Sequence, residues 1–323
     1  MKKERSYGSE PGRSELLRAL VGTEAQERMD PDAMIQRLQA EGYRIVKDDP
    51  AWVKEDAASI KSSATSRWEG GHTVRFGVVS DTQLGSRKQQ LTFLREVYQR
   101  FEDKGIDTVF HAGDMCDGDG RVYPGQQFDL FVHGYMRQLE YIVGSYPRRA
   151  GIKTHVIAGN HDWSFWQHGG ADILDAMSRE RDDIVYLGYG GAPIDIDGIK
   201  IYLIHLKSGL TYARSYKLQK VIEQFAPAQK PDMMFAGDRH SWAHIPMYRN
   251  VYGWQMGCFQ AQTDFEKRLG LYPEIGALIV EVDYGTEGAD KRELKKSGHE
   301  GRKSIVSIRH EVLPMYVPRE ADY

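Results

Sequence analysis

The segment DTVFHAGDMCD, residues 107–117, joins a short apolar run to a cluster of acidic residues. Similar runs end in polar residues at TVRFGVVSD, residues 73–81, and at KTHVIAGNHD, residues 153–162. Their β-branched and aromatic residues are typical of buried strands. Amphipathic sequence of helical period separates the runs, at residues 87–104 and 127–144. This β–α–β–α–β order predicts an α/β fold in which helices cover the strands.

After residue 162 the chain again alternates between strands and helices, and most of the expected elements are strands. A helix is expected over residues 210–225, and a mobile charged loop over residues 285–304. Strands are expected at 184–187, 194–197, 199–205, 233–236, 245–259, 275–283 and 304–310. Polar residues at the carboxyl ends of such strands mark the edge where ligands bind.

The composition is that of a soluble globular protein. The 323 residues are 41% hydrophobic and 28% charged, and the net charge of -3 gives no global positive field for nucleic acid. The two cysteines, Cys116 and Cys258, are far apart and are expected to be reduced thiols. The polar start is not expected to be a signal peptide, and no apolar run reaches the ~20 residues of a membrane span. We therefore expect a cytoplasmic protein with no membrane contact.

The amino-terminal part divides into a disordered tail, residues 1–13, a small module, residues 14–56, and a linker, residues 57–72. A catalytic domain is expected over residues 73–323. Three short helices and a hairpin at residues 43–53 make the module similar to a winged helix-turn-helix, which would allow DNA contact. The alternative is a packing or oligomerisation appendage, because basic residues do not dominate the module.

Polar residues follow the expected strands at five places, and the five anchors are Asp81, Asp114, Asn160, His205 and His240. The spacing permits their loops to converge on one rim. Carboxylate, amide and imidazole groups suit divalent Mn, Fe, Zn or Ni. Two such ions can activate a water and stabilise the charge that develops on a phosphate. The pattern indicates a two-metal phosphoesterase. Any one of these residues taken alone would more ordinarily be a polar cap at the end of a strand.

The motifs G-D-x-x-D at residues 113–117 and G-N-H-D at residues 159–162 resemble those of the calcineurin-like metallophosphoesterase superfamily. Its ordered pattern is D-x-H, G-D-x-x-D, G-N-H-[DE], H and G-H-x-H, and the resemblance covers about residues 73–283. The resemblance implies a four-layer α/β/β/α sandwich of two mostly parallel sheets flanked by helices. It also implies two divalent metal ions.

The resemblance also implies roles for individual residues. Asp114 would bridge the two metals, and the remaining metal ligands would be Asp81, Gln83, Asn160, His205, Asp238 and His240. Asp81 and His240 would hold one metal, and Asn160 and His205 the other. His161 would act as the leaving-group acid or charge stabiliser. Asp162 would orient His161 through a hydrogen bond, and Asp117 would brace the site.

Two of these ligands depart from the family pattern. Gln83 and Asp238 stand where the pattern has histidines, which shifts the site towards oxygen ligation and favours Mn²⁺, with Mg²⁺, Fe, Zn or Ni as alternatives. Gln83 could instead point into solvent, and Asp238 could pair with Arg239.

Neighbouring aromatic residues and histidines have both functional and structural interpretations. Trp163, Phe165 and Trp166 could stack on a nucleobase or pack the following helix. His111 is expected to be a hydrogen-bonded core residue, and Cys116 a buried small residue.

The predicted function is hydrolysis of a phosphate ester by a metal-activated water. A phosphodiesterase or nuclease is favoured because of G-N-H-D and the winged-helix-like module. One alternative is a phosphomonoesterase acting on a nucleotide or phosphoprotein. The other is a non-catalytic, metal-bound binding protein, in which Gln83 and Asp238 would reflect loss of the catalytic metal ligands.

Overall fold

The computed structural model describes residues 43–46, 49–54, 57–62, 66–68, 71–207, 211, 213–285 and 304–323. The expected tail 1–13, the expected helices of the module before residue 43 and the charged segment 286–303 lie outside the described residues. The winged-helix interpretation therefore stays a prediction. Its hairpin is present, because β1 (Tyr43–Val46) pairs antiparallel with β2 (Asp49–Lys54).

The first large sheet has seven strands and includes the apolar runs that precede Asp81, Gly113 and Gly159. It contains β4 (Ser66–Trp68), β5 (Gly71–Val79), β6 (Thr108–His111), β7 (Lys153–Ala158), β8 (Ile184–Tyr189), β14 (Ile275–Gly285) and β15 (Ser304–Met315). Their order is β15-β14-β5-β6-β7-β8, and β4 pairs with β5. Strands β5 to β8 run parallel, so their carboxyl ends meet at one edge.

The second sheet has six strands in the order β12-β13-β11-β10-β9-β3. These are β3 (Ala58–Ile60), β9 (Gly191–Ile196), β10 (Ile199–His205), β11 (Met233–Gly237), β12 (Ala243–Tyr248) and β13 (Val251–Gln255). Only β10–β11, β11–β13 and β3–β9 are parallel pairs. Both sheets are mixed, because each also contains antiparallel pairs, such as β9–β10 in the second sheet and β14–β15 in the first. The expected mostly parallel sheets are corrected accordingly.

Helices accompany the strands. They are α1 (Leu91–Asp103), α2 (Gln126–Asp129), α3 (Tyr135–Ser145), α4 (Asn160–Gly169), α5 (Ile173–Glu180), α6 (Tyr216–Gln224) and α7 (Asp264–Arg268), with a 3₁₀ turn at Pro227–Gln229. The predicted apolar face of α1 is buried as expected. The single helix expected over residues 127–144 is two helices, because Leu130 is extended and Gly134 has φ 85°.

The apolar core lies between the sheets and beneath the helices. Phe76, Val78 and Phe110 of the first sheet share one buried cluster with Phe235 and Trp254 of the second. A second cluster joins α1 and its neighbouring helices to the other face of the first sheet. This α/β sandwich confirms the predicted fold class and leaves the strand ends as a rim.

The expected linker and the two cysteines can be located in the structure. Part of the expected linker belongs to the sheets, because Ala58–Ile60 pairs with β9 and Ser66–Trp68 pairs with β5. Cys116 and Cys258 are buried free thiols, as expected. Among the described residues, no helix has the length and apolarity needed to cross a membrane.

Candidate metal centre and catalytic residues

Loops at the carboxyl ends of strands from both sheets meet at one rim. Asp81 N donates to Gly113 O at 2.9 Å, which ties the loop after β5 to the loop after β6. Asp238 N, just after β11, donates to Asp81 Oδ1 at 3.0 Å. The bond between Asp238 and Asp81 links residues that are 157 positions apart in the chain. The predicted convergence of the strand ends is therefore present.

The centre of the cluster is Asp114. Asp81, Asp114 and His205 each offer a ligand atom, and these atoms lie within 4.8 Å of one another. His205 Nε2 lies 3.1 Å from Asp114 Oδ2 and 3.0 Å from Asn160 Oδ1. His205 Nδ1 donates to Ala112 O at 2.8 Å, so a neutral imidazole would turn its Nε2 lone pair towards the carboxylates.

His240 and Asp238 lie on the β11 side of the same cluster. His240 Nε2 is 3.4 Å from Asp81 Oδ1, and Asp238 Oδ1 is 3.9 Å from His205 Nε2. Asp238 Oδ2 lies 3.3 Å from Arg239 Nε, so the two interpretations of Asp238 are compatible. One of its oxygens pairs with Arg239 while the other remains beside the cluster.

Gln83 points into the centre and not into solvent. Its side chain is completely buried, and its Nε2 donates to Asp114 Oδ2 at 3.2 Å. Gln83 Oε1 is buried without a hydrogen-bond partner. A buried amide oxygen normally has a partner, because leaving it unpaired costs about 1–3 kcal/mol. A divalent cation is a partner that this oxygen and the surrounding carboxylates fit.

The backbone of the centre is unusual at the predicted ligands. Positive φ angles occur at Asp81 (51°), Gln83 (47°), Asp114 (57°), Asp238 (86°) and His240 (48°). Left-handed conformations are unfavourable for residues other than glycine and concentrate at functional sites. Five of them on one rim indicate that packing holds these side chains in place at a conformational cost.

Gly159 permits the close approach of two loops. A β-carbon on Gly159 would lie 2.7 Å from Asp114 N and 2.7 Å from His205 Cε1, and would clash with Asp114 Oδ1. No side chain fits there without displacing the central carboxylate. The first glycine of G-N-H-D is therefore required by packing against Asp114.

The negative charge of the cluster changes the proton affinity of its histidines. Burial lowers the pKa of His205, but the Asp114 carboxylate outweighs burial and raises this pKa to about 10. Burial raises the pKa of Asp114, yet His205 and His161 bring it well below its usual range. Burial also raises the pKa of Asp238 to about 6. The carboxylates thus attract positive charge, which a bound cation would supply in place of protons.

The Nδ1 atom of His161 contacts Asp117, and its Nε2 atom faces the carboxylate cluster. His161 Nδ1 lies 2.9 Å from Asp117 O, 3.2 Å from Asp117 Oδ1 and 3.1 Å from Gln126 Nε2. His161 Nε2 lies 3.8 Å from Asp114 Oδ2. Burial lowers the pKa of His161, but Asp114 and Asp117 raise it to about 9. This arrangement suits a histidine that donates a proton into the cleft.

Asp162 does not orient His161, contrary to the expected role. Its carboxylate accepts hydrogen bonds from Met115 N (3.2 Å), Cys116 N (2.9 Å) and Gly159 N (3.0 Å). Asp162 is the third residue of α4, so its side chain turns back towards the helix start and the loop after β6. The bracing expected of Asp117 is present, and the partner that the sequence reasoning missed is Gln126.

The aromatic residues after G-N-H-D pack inside the fold. Trp163 stacks on Tyr189 with ring centroids 4.2 Å apart, and Phe165 meets Tyr135 edge-on. Base stacking by Trp163 and Phe165 is therefore excluded, and the packing alternative is confirmed for them. His111 is buried and bonded to Thr82 Oγ1 and Gly113 N, as expected of a core histidine.

A cavity of about 760 Å³ opens beside the centre. Asp114, Asn160, His161, Asp238 and His240 lie on its floor, and its wall comes from the segment 263–273 together with Tyr123. The rings of Tyr123 and Phe265 are stacked 4.5 Å apart in this wall. The sequence reasoning did not anticipate this wall, because no motif marks it.

Comparisons with known proteins agree with this architecture. The family model for calcineurin-like phosphoesterases matches residues 74–248. The DNA polymerase II small subunit of Methanothermobacter thermautotrophicus is 24% identical over an alignment of 250 residues. This alignment covers 62% of this chain and 51% of that protein. The subunit of the same name from Archaeoglobus fulgidus is 27% identical over 252 residues, 62% of this chain and 50% of that protein. The chain thus spans about half the length of the curated relatives it matches.

The solved structures that this chain resembles have lower sequence identity. Vps29 of Entamoeba histolytica, in complex with Zn²⁺, is 15% identical, covers 75% of this chain and 99% of its own, and has a TM-score of 0.37. A dimetal phosphatase from Danio rerio is 10% identical, covers 65% and 95%, and has a TM-score of 0.36.

Proposed function

This chain belongs to the calcineurin-like phosphoesterase family, and we propose that it hydrolyses phosphate esters, with a phosphodiester as the preferred substrate. The family implies two divalent metal ions. We propose Asp81, Gln83 and His240 as ligands of one, Asn160, His205 and Asp238 as ligands of the other, and Asp114 as the bridge. Bound cations would make a water more acidic and offset negative charge on the phosphate.

The observation that carries this proposal is the placement of His161 beside Asp114. His161 Nδ1 donates to Asp117 O, and Gln126 Nε2 donates to the same carbonyl oxygen, which leaves His161 Nε2 directed to the cavity. A proton donor is useful there only if a leaving group departs at that point. A binding surface without turnover gives no reason for this arrangement, so catalysis is preferred to the metal-bound binding protein.

Manganese is the proposed metal, because Gln83 and Asp238 add oxygen donors where the family pattern has histidines. The orphaned Gln83 Oε1 and the carboxylate-rich centre support this assignment. Magnesium, iron, zinc and nickel are the alternatives that a metal screen would compare.

The test is hydrolysis of bis(p-nitrophenyl) phosphate by the full chain with and without Mn²⁺. Wild type is expected to need the metal. His161→Ala should slow turnover by about 100- to 10,000-fold, the contribution of a general acid, with Mn²⁺ binding retained. Asp114→Asn should lose both turnover and Mn²⁺ binding.

Two controls make this test decisive. His133→Ala changes an exposed histidine and should retain full activity. Full activity of His161→Ala and Asp114→Asn would contradict the assigned roles. A higher kcat/KM for p-nitrophenyl phosphate than for the diester would favour the phosphomonoesterase alternative.

A second candidate function comes from the curated relatives, which are named as DNA polymerase II small subunits. We propose on this basis that the chain associates with a DNA polymerase and works near DNA, where a phosphodiester is the available ester. Co-purification of the full chain with a polymerase from its own organism tests this role. DNA contact by the module at residues 14–56 and a cytoplasmic location stay predictions.

A further inference from the structure

The short helix α7 lies against the metal centre and begins with a reciprocal cap. Thr263 Oγ1 accepts from Glu266 N at 3.2 Å, and Glu266 Oε2 accepts from Thr263 N at 2.9 Å. Thr263 Oγ1 also lies 3.0 Å from Glu266 Oε2. The two residues fix each other at the start of the helix. The cap therefore determines where the Glu266 carboxylate points.

The other oxygen of that carboxylate contacts His240. Glu266 Oε1 lies 2.9 Å from His240 Nδ1, while His240 Nε2 lies 3.4 Å from Asp81 Oδ1. An ionised carboxylate only accepts hydrogen bonds, so Nδ1 carries the hydrogen. A neutral His240 then has its lone pair on Nε2, on the side of Asp81.

We propose that Glu266 is a positioning residue, which holds His240 in the Nδ1-protonated tautomer and presents Nε2 to a divalent cation beside Asp81. The inference rests on His240 being a metal ligand, as in the proposed function. Carboxylates in this position fix the ring and increase the basicity of the ligating nitrogen. Losing one typically weakens metal affinity by about 10- to 100-fold.

Helix capping alone does not explain the contacts of the Glu266 carboxylate. The cap uses Oε2, whereas the contact with His240 uses Oε1. Glu266 is also buried, with only 8% of its surface exposed, and a buried carboxylate needs donors for both oxygens. Thr263 and His240 supply these donors. The two roles are therefore separable by experiment.

The experiment is calorimetric titration of metal-free full chain with Mn²⁺ alone, in wild type, Glu266→Gln, Glu266→Ala and Asp264→Asn. Asp264 is exposed on the same turn of α7, so its variant removes the same charge away from His240. We expect about 10- to 100-fold weaker binding at one site for Glu266→Ala, a smaller loss for Glu266→Gln, and wild-type affinity for Asp264→Asn.

A second measurement reports the tautomer itself. In Zn²⁺-loaded protein with ¹⁵N-labelled histidine, His240 should show a protonated Nδ1 and a metal-bound Nε2. Glu266→Ala should weaken or mix this signature, which a purely capping role would leave intact.

The outcomes separate this inference from the proposed function. Unchanged Mn²⁺ affinity and an unchanged His240 signature in Glu266→Ala would overturn it, whatever the turnover. Absence of Mn²⁺ binding by wild type would overturn it as well. Weakened binding in the Glu266 variants, with no ester hydrolysed by wild type, would support the inference while the proposed function fails.

Discussion

At the scale of single residues, the two oxygens of each carboxylate have different partners, and these partners determine the role of the residue. Asp114 receives the His161 backbone N–H on Oδ1 at 2.9 Å and keeps Oδ2 towards His205. Asp162, two residues from Asn160, uses its oxygens for backbone N–H groups instead. Neighbouring acidic residues in one motif thus have separate tasks, one in the proposed chemistry and one in holding the loops.

The role of Asp162 leads to a stability prediction. Asp162→Asn should lower the free energy of unfolding by about 3 kcal/mol, because an amide NH₂ would face backbone donors that need an acceptor. Asp175→Asn, at a partly exposed position of α5 where the surface pair with Arg179 contributes little, should change the free energy of unfolding by less than about 0.5 kcal/mol. Urea unfolding in EDTA measures both. An unchanged unfolding free energy for Asp162→Asn would contradict the role of Asp162 in holding the loops together.

At the scale of elements, the helices differ in how clearly the sequence predicts them. The helix α1 has a continuous apolar face. The short helix α5 begins at Ile173 and is capped by Asp172, whose side chain accepts from Leu174 N and Asp175 N at 3.1 Å. That N-cap is a sequence signal that could have predicted α5. The start of α4 coincides with G-N-H-D, so one short segment both ends β7 and opens a helix.

The buried face of α1 supports an element-scale prediction. Leu94 is fully buried, so Leu94→Ala should cost about 2–5 kcal/mol through lost burial and a cavity. Arg100→Ala, on the exposed face, should change stability by less than about 0.5 kcal/mol. Urea unfolding of both variants provides the measurement, and equal losses would contradict the assigned packing of α1.

At the scale of the whole molecule, the candidate metal centre lies where loops from the two sheets meet. Asp81 and Asp114 follow strands of the first sheet, whereas His205 and Asp238 belong to β10 and the loop after β11 in the second. An unfolded chain cannot bring these groups together, so a cation that binds them selects the folded state. Metal binding should therefore stabilise the sandwich as a unit.

This coupling predicts a metal-dependent melting temperature. Mn²⁺ at about 100 times its dissociation constant should add about 2.7 kcal/mol per site, which corresponds to a rise of several degrees over protein in EDTA. Differential scanning fluorimetry measures the shift. Asp114→Asn should remove most of it, and identical melting curves with Mn²⁺ and EDTA would exclude binding at this centre.

The sequence by itself determined the α/β class, the alternation of the first strands with helices and the polar residues at the strand ends. It could do so because strand period and glycine-containing loop motifs are local properties of the chain. Tertiary structure alone decided that Gln83 is buried, that Asp117 and Gln126 hold His161, and that Glu266 meets His240. Such partners depend on how loops from two sheets pack at the rim, and no local pattern encodes a contact between residues that are distant in the chain.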